Sequence, residues 1–179
     1  QDMIVIDIGH SRTGDKGAFN SELGLYEWDW NKRVADAISG MCWHKTKIIE
    51  RTDGITKLVR DINAQKPTFC MSLHCNSFSN PKSSGTEVLY WHKSEKSKAA
   101  ASIMQKRLVT ALMLPDRGIK PVTAQDRGGW QLKEVSSPII LLEPFFLSNR
   151  EDVDKVKKNW TLYMDAMLQG IDQIVKEVL

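Results

Sequence analysis

Three short apolar runs in this sequence end in residues that can do chemistry. Met3 to His10 reads M-I-V-I-D-I-G-H, Thr68 to Ser77 reads T-F-C-M-S-L-H-C-N-S, and Ile139 to Glu143 reads I-I-L-L-E. Apolar residues bounded by turn formers are the pattern of a buried strand. His10, His74 and Glu143 therefore stand at the carboxyl ends of three predicted core strands. In open α/β sheets that is the side on which ligands bind. A second carboxylate, Glu27 in Y-E-W-D-W-N, opens a predicted helix after a long glycine-containing loop.

Two histidines and one carboxylate are a ligand set for catalytic zinc, which keeps its fourth position for water. The same donor types hold non-haem iron, but an α/β pattern rather than a jelly-roll surrounds them here. Zinc lowers the pKa of water from ~15.7 to ~7, which makes hydroxide about 12 kcal/mol easier to form. A carboxylate free of the metal can then take the water's proton and pass it to a leaving nitrogen. Position alone leaves open which of Glu27 and Glu143 is the ligand. In the first turn of a helix, Glu27 is also simply favoured by the helix dipole.

Other catalytic patterns are missing: there is no G-x-S-x-G, P-loop, G-x-G-x-x-G or H-E-x-x-H. Cys75 neighbours His74, but on a continuing strand its side chain points to the opposite face. His44 and His92 have no partner in the pattern and read as surface or rim residues.

The elements that must position these groups alternate between strand and helix. Thr46–Arg51 reads as a second strand and Gly85–His92 as a fourth. The latter is expected to run antiparallel, because a short polar turn separates it from the third. Helices are predicted from about Glu27 to Ser39, Ile55 to Gln65 and Ser94 to Met113. A closing helix follows the S-x-x-E capping box Ser148–Glu151. Ser11–Tyr26 and Leu114–Gly129 read as long loops, and Trp130–Val135 as a short strand. The expected fold is a single α/β domain over residues 1–179. Its mixed, mostly parallel sheet of about six strands carries helices on both faces.

Composition agrees with one ordinary domain. The chain has 179 residues, is 41% hydrophobic and 26% charged, and carries a net charge of +3. That charge gives little drive toward nucleic acid. No apolar run approaches the ~20 residues of a membrane span. Three cysteines without a C-x-x-C pair argue against a disulfide framework. No signal peptide is visible, and Gln1 in place of an initiator methionine reads as a processed end.

With these residues in view, the chain resembles the zinc-dependent N-acetylmuramoyl-L-alanine amidases of bacteria and their phages. The matching segments are Asp7-Ile8-Gly9-His10, Glu27, Ser72-Leu73-His74-Cys75-Asn76, Gly85-Thr86-Glu87-Val88 and Glu143-Pro144-Phe145-Phe146-Leu147-Ser148-Asn149, in order along nearly the whole chain. The resemblance implies one zinc held by His10, Glu27 and His74, with Glu143 as general base and acid. It implies hydrolysis of the amide between N-acetylmuramic acid and L-alanine in peptidoglycan. Arg51, Asn76, Arg117 and Arg127 are weaker candidates for substrate contact or support of the ligands. Phe145 stands where the family usually has glycine, a change expected to reshape the pocket wall. His92 to Ser94 leaves no room for the inhibitory helix inserted in cell-division members. The expected protein is a monomer acting on the cell wall, in the periplasm or outside the cell. As a phage lysin it would stay in the host cytoplasm until release. A zinc exopeptidase of related architecture and a non-catalytic wall-binding module are the alternative readings.

Overall fold

A computed structural model describes residues 2–179. Gln1, read as a processed end, lies outside the described residues. The order of elements is β1 (Met3–Ile8), β2 (Phe19–Asn20), β3 (Leu25–Tyr26), α1 (Glu27–Met41), β4 (Lys45–Glu50), α2 (Ile55–Ala64) and β5 (Phe69–Leu73). It continues with β6 (Thr86–Trp91), α3 (Glu95–Leu112), β7 (Asp116–Val122), α4 (Gly129–Glu134), β8 (Ile139–Glu143), α5 (Arg150–Lys158) and α6 (Trp160–Glu177). Among the described residues, six strands form one sheet in the order β4-β1-β5-β8-β6-β7, and β2 pairs with β3 in a separate hairpin.

Strands β4, β1, β5 and β8 run parallel in adjacent register, so their carboxyl ends lie side by side. Such strands are apolar on both faces because helices cover both. Ile4, Ile6 and Ile8 of β1 pack with Phe69, Met71 and Leu73 of β5 beneath α1, α3, α5 and α6. Val5 and Cys70 face the other way, toward Leu58, Val59 and Ile62 of α2 and Leu132 of α4. This is the single α/β domain with helices on both faces that the sequence predicts.

Several local expectations are corrected. The predicted loop 114–129 contains β7, which pairs parallel to β6 at the sheet edge. Only Val122 of β7 is buried, so the strand has no apolar alternation, and Pro121 is tolerated at an edge. The predicted strand Trp130–Val135 is instead α4. Six residues are too few for alternation to be told from helical spacing, and Leu132 and Val135 pack at a three-residue step. The loop 11–26 carries the β2–β3 hairpin. Strand β6 does run antiparallel, but β8 lies between it and β5.

The closing helix is two. It breaks at Asn159, whose backbone leaves helical geometry. The cap of α5 is Asn149, whose side chain accepts from Asp152 N at 3.1 Å. Ser148, the expected cap, accepts from Phe78 N instead.

Asp152 shows how α5 fixes the loops beside the sheet. It is 1% exposed. Its carboxylate accepts from Ser84 Oγ, Gly85 N (3.2 Å) and Phe146 N (3.0 Å), joining the start of β6 to the exit of β8. Removing it strands three donors in a buried place. Asp152→Ala is expected to cost on the order of 3 kcal/mol, measured as a shift of the urea unfolding midpoint.

Candidate metal centre and active site

His10 follows β1 through Gly9, whose N–H donates to Leu73 O at 2.8 Å. A Cβ at Gly9 would lie 2.4 Å from the His74 ring, so no other residue fits. His10 itself sits at φ 67°, a left-handed conformation that costs a non-glycine residue free energy and often marks function. Its Nδ1 lies 3.0 Å from Asp15 Oδ2, which orients the ring. Its Nε2 then faces Glu27 Oε2 at 3.3 Å. Gly17 is equally constrained, since its Cβ would lie 2.5 Å from the same Glu27 oxygen.

Glu27 opens α1, as the sequence predicts, and is 3% exposed. Its Oε1 accepts from Cys75 N at 2.9 Å and lies 3.1 Å from His74 Nδ1. Its Oε2 accepts from Ala18 N at 2.9 Å. Burial disfavours the carboxylate, but the bonds with His10 and His74 outweigh it and hold Glu27 well below the usual carboxylate range. The same bond to Glu27 raises the His10 pKa against its own desolvation. One donor atom from each of His10, Glu27 and His74 lies within 4.8 Å of the other two. Two imidazoles sharing a buried carboxylate fit a divalent cation. The donor types suit zinc, and Asp15 supplies the outer bond that metal-binding histidines usually make.

The Cys75 side chain takes no part in this cluster, to which the residue gives only its backbone N–H. Its buried thiol faces Asn31 on α1, and burial keeps its pKa well above the usual value. Asp7, fully buried at the end of β1, accepts from Ser72 Oγ (2.7 Å) and Gln131 Nε2 (2.9 Å), and burial lifts its pKa to about 6. The sequence reading missed Gln131, because α4 was read as a strand. Asp15 and Glu87 were also missed as partners, although Glu87 lies within a motif that was noticed.

A cavity of about 460 Å³ opens over the three residues, and Arg51, Arg127, Trp130 and Gln131 line it. Glu143, at the end of β8, is one strand over from His74, whose N–H donates to Leu142 O. It is 1% exposed. Arg127 Nη2 donates to Glu143 Oε1 at 2.5 Å and to Asn76 Oδ1 at 3.3 Å. Glu143 Oε2 is buried and has no partner. Burial pushes the Glu143 carboxyl up to about 7, with His74 and then Arg127 opposing. The guanidinium loses because its side chain is 63% exposed and solvent screens it.

Asn76 Nδ2 donates to Glu87 Oε1 (2.7 Å), and Arg117 Nε donates to Glu87 Oε2 (3.1 Å). Of the weaker candidates, Arg51 and Arg127 thus line the cavity and Asn76 bridges toward Glu143. Arg117 stays behind, with its guanidinium over Phe146. Phe145 does not reshape the pocket wall. It is fully buried and packs edge-on against Trp30 at 5.3 Å, on the face of the sheet covered by α1, α3, α5 and α6.

Fold and site together define an α/β domain with a His/Glu/His cluster and a separate buried glutamate at its strand ends. Residues 4–173 match the family of N-acetylmuramoyl-L-alanine amidases known as Amidase_3, and the chain belongs to that family. It is 28% identical to YqiI of Bacillus subtilis, over 94% of this chain and 82% of that one. It is 34% identical to a cell wall amidase of Bacillus anthracis, over 86% of this chain but 31% of the relative. The structure superimposes on the catalytic domain of CwlV, an N-acetylmuramoyl-L-alanine amidase from Bacillus (Paenibacillus) polymyxa var. colistinus. The TM-score is 0.82 at 26% identity, and both chains are fully covered.

The burial of Glu143 has a consequence for stability. Its pKa is raised from 4.5 to about 7 on folding, so between those values the metal-free folded chain holds a proton that the unfolded chain has released. Stability therefore falls as pH rises through that window. Asp7 acts in the same direction, Glu27 in the opposite one below the usual carboxylate range, and His10 again in the same direction as pH rises from its ordinary value through its raised one. Comparing wild type with Glu143→Gln isolates the one group. The variant is expected to gain on the order of 3 kcal/mol relative to wild type between pH 5 and pH 8, measured by urea unfolding of metal-stripped protein.

Proposed function

We propose that residues 1–179 form the catalytic domain of a zinc-dependent N-acetylmuramoyl-L-alanine amidase. In this reading it hydrolyses the amide between the lactyl group of N-acetylmuramic acid and L-alanine of the stem peptide. The observation that carries this reading is the pairing of a His10/Glu27/His74 cluster with a separate carboxylate on the adjoining strand, in a chain of the amidase family. When bound, zinc would supply a Lewis acid that makes water acidic enough to attack an amide near neutral pH.

His10, Glu27 and His74 hold the ion, and Asp15 keeps the His10 ring turned so that Nε2 faces inward. Glu143 takes the proton from the attacking water and returns it to the leaving nitrogen of alanine. Its burial, its place on the adjoining strand and its Oε2 without a protein partner suit both halves of that transfer, because a desolvated carboxylate is a stronger base and its acid gives the proton back. Arg51, Arg127 and the backbone about Asn76 form the walls that orient the peptide. Peptidoglycan as substrate places the work at the cell wall. All four central residues come from one chain, so the site needs no side chain from a second copy. No helix among the described residues is long and apolar enough to cross a membrane.

The purified chain is expected to bind about one zinc, with three protein ligands. His10→Ala and His74→Ala should lose it, and Glu27→Gln should bind it more weakly, since an amide is a poorer ligand than a carboxylate. Metal analysis reads the result, and stoichiometric zinc in both histidine variants would refute the assignment.

Glu143→Gln should keep its zinc yet turn over a defined muropeptide at least about a hundredfold more slowly. Mass analysis should find intact peptides beginning with L-alanine rather than free amino acids. Zinc lost from Glu143→Gln and kept by Glu27→Gln would reverse the two carboxylates.

A further inference from the structure

We propose that Arg127 reads a carboxylate on the stem peptide and, in moving to it, uncovers Glu143, which makes Arg127 a specificity-determining residue of this site. The inference rests on the amidase reading above and adds to it a demand on the substrate. Glu143 does not line the cavity, whereas Arg127 does. The guanidinium lies over the carboxylate at 2.5 Å, with Asn76 Oδ1 as its second acceptor. Glu143 can take a proton from water in the cavity only after Arg127 has moved aside.

The movement needs no change of backbone. The turn before Arg127 is tied by Asp126 Oδ2, which accepts from Thr123 N (2.6 Å) and Thr123 Oγ1 (2.9 Å). Side-chain rotation is enough, and 63% exposure leaves the side chain room to rotate.

What draws it away must be an acceptor that competes with a carboxylate, and another carboxylate fits best because the planar guanidinium fork binds it in two bonds. Nη2 makes both recorded bonds, and among the described residues no acceptor is bonded to Nη1 or Nε. The carboxylates of the cavity itself are engaged elsewhere: Asp7 by Ser72 and Gln131, Glu27 by the histidines, and Asp126 by Thr123. Arg51, the cavity's other arginine, lies 3.6 Å from Asp15 Oδ2. The acceptor therefore comes from the ligand, and a stem peptide bears carboxylates close to the amide that is cut.

The test compares two substrates with the zinc-loaded chain: N-acetylmuramoyl-L-alanyl-D-glutamate γ-amide, whose α-carboxylate is free, and the same molecule with the α-carboxyl amidated as well. Wild type is expected to show kcat/KM about tenfold or more higher for the carboxylate form. Arg127→Gln should bring the two forms within about twofold of each other, and Arg127→Lys, which keeps the charge without the fork, should retain part of the preference. Calorimetry with metal-stripped protein gives a readout independent of turnover. Wild type should bind L-alanyl-D-glutamate γ-amide more tightly than the diamide, and Arg127→Gln should not. Equal cleavage of both forms by wild type would overturn the inference and leave the amidase reading intact. So would a preference that survives Arg127→Gln, or one lost in Arg51→Gln instead. If wild type cleaves neither form, the amidase reading fails and this inference falls with it.

Discussion

A buried carboxylate needs compensation, and the arrangement around Glu27 is that compensation. Taking a carboxylate out of water costs several kcal/mol unless charges and donors replace the solvent. Here the replacements are the N–H groups of Ala18 and Cys75 and the rings of His10 and His74. They arrive from the loop before the β2–β3 hairpin, from the segment after β5 and from the end of β1. The parallel register that places Gly9 beside Leu73 is what brings those rings to one carboxylate. Should that register slip by one residue, the histidine of one strand would turn away from that of the other.

Space is the second constraint, and it acts through glycine and backbone geometry. Gly9 and Gly17 leave no room for even a methyl group beside His74 and Glu27. His10 adopts a left-handed conformation that a histidine does not choose freely. Strain of this kind persists only where the surroundings over-determine it. The hydrogen bond to Asp15 and the packed core under β1 do so here.

The two glutamates differ through their neighbours. Glu27 meets two histidines and stays ionised. Glu143, one strand further along, feels His74 and Arg127 without a hydrogen bond from either histidine, and one of its oxygens has no partner, so burial dominates and its pKa rises. Two carboxylates whose environments push their pKa values apart are suited to different roles. The polar chain from Arg117 through Glu87 and Asn76 to Arg127 ties the second glutamate's surroundings to the far edge of the sheet.

The ends of the core strands, the starts of α1, α2 and α3 and the order of motifs were legible in the amino-acid sequence, because hydrophobic periodicity and turn formers are local signals. Met3–Ile8, Phe69–Leu73 and Ile139–Glu143 carry enough apolar residues to declare themselves buried, and with them the positions of His10, His74 and Glu143. The edge strand β7 was hidden, since six of its seven residues are at least partly exposed and leave no periodic trace. The short helix α4 was misread because Trp130–Lys133 alternates over four residues, too few to be told from helical spacing. Phe145 was assigned to the pocket from its place in a motif, yet the packing of Trp30 drew it into the core. Only the tertiary structure decided which side chains meet. Asp15 with His10, Gln131 with Asp7 and Arg127 with Glu143 are contacts between separate segments, set by strand order and loop paths rather than by local propensity.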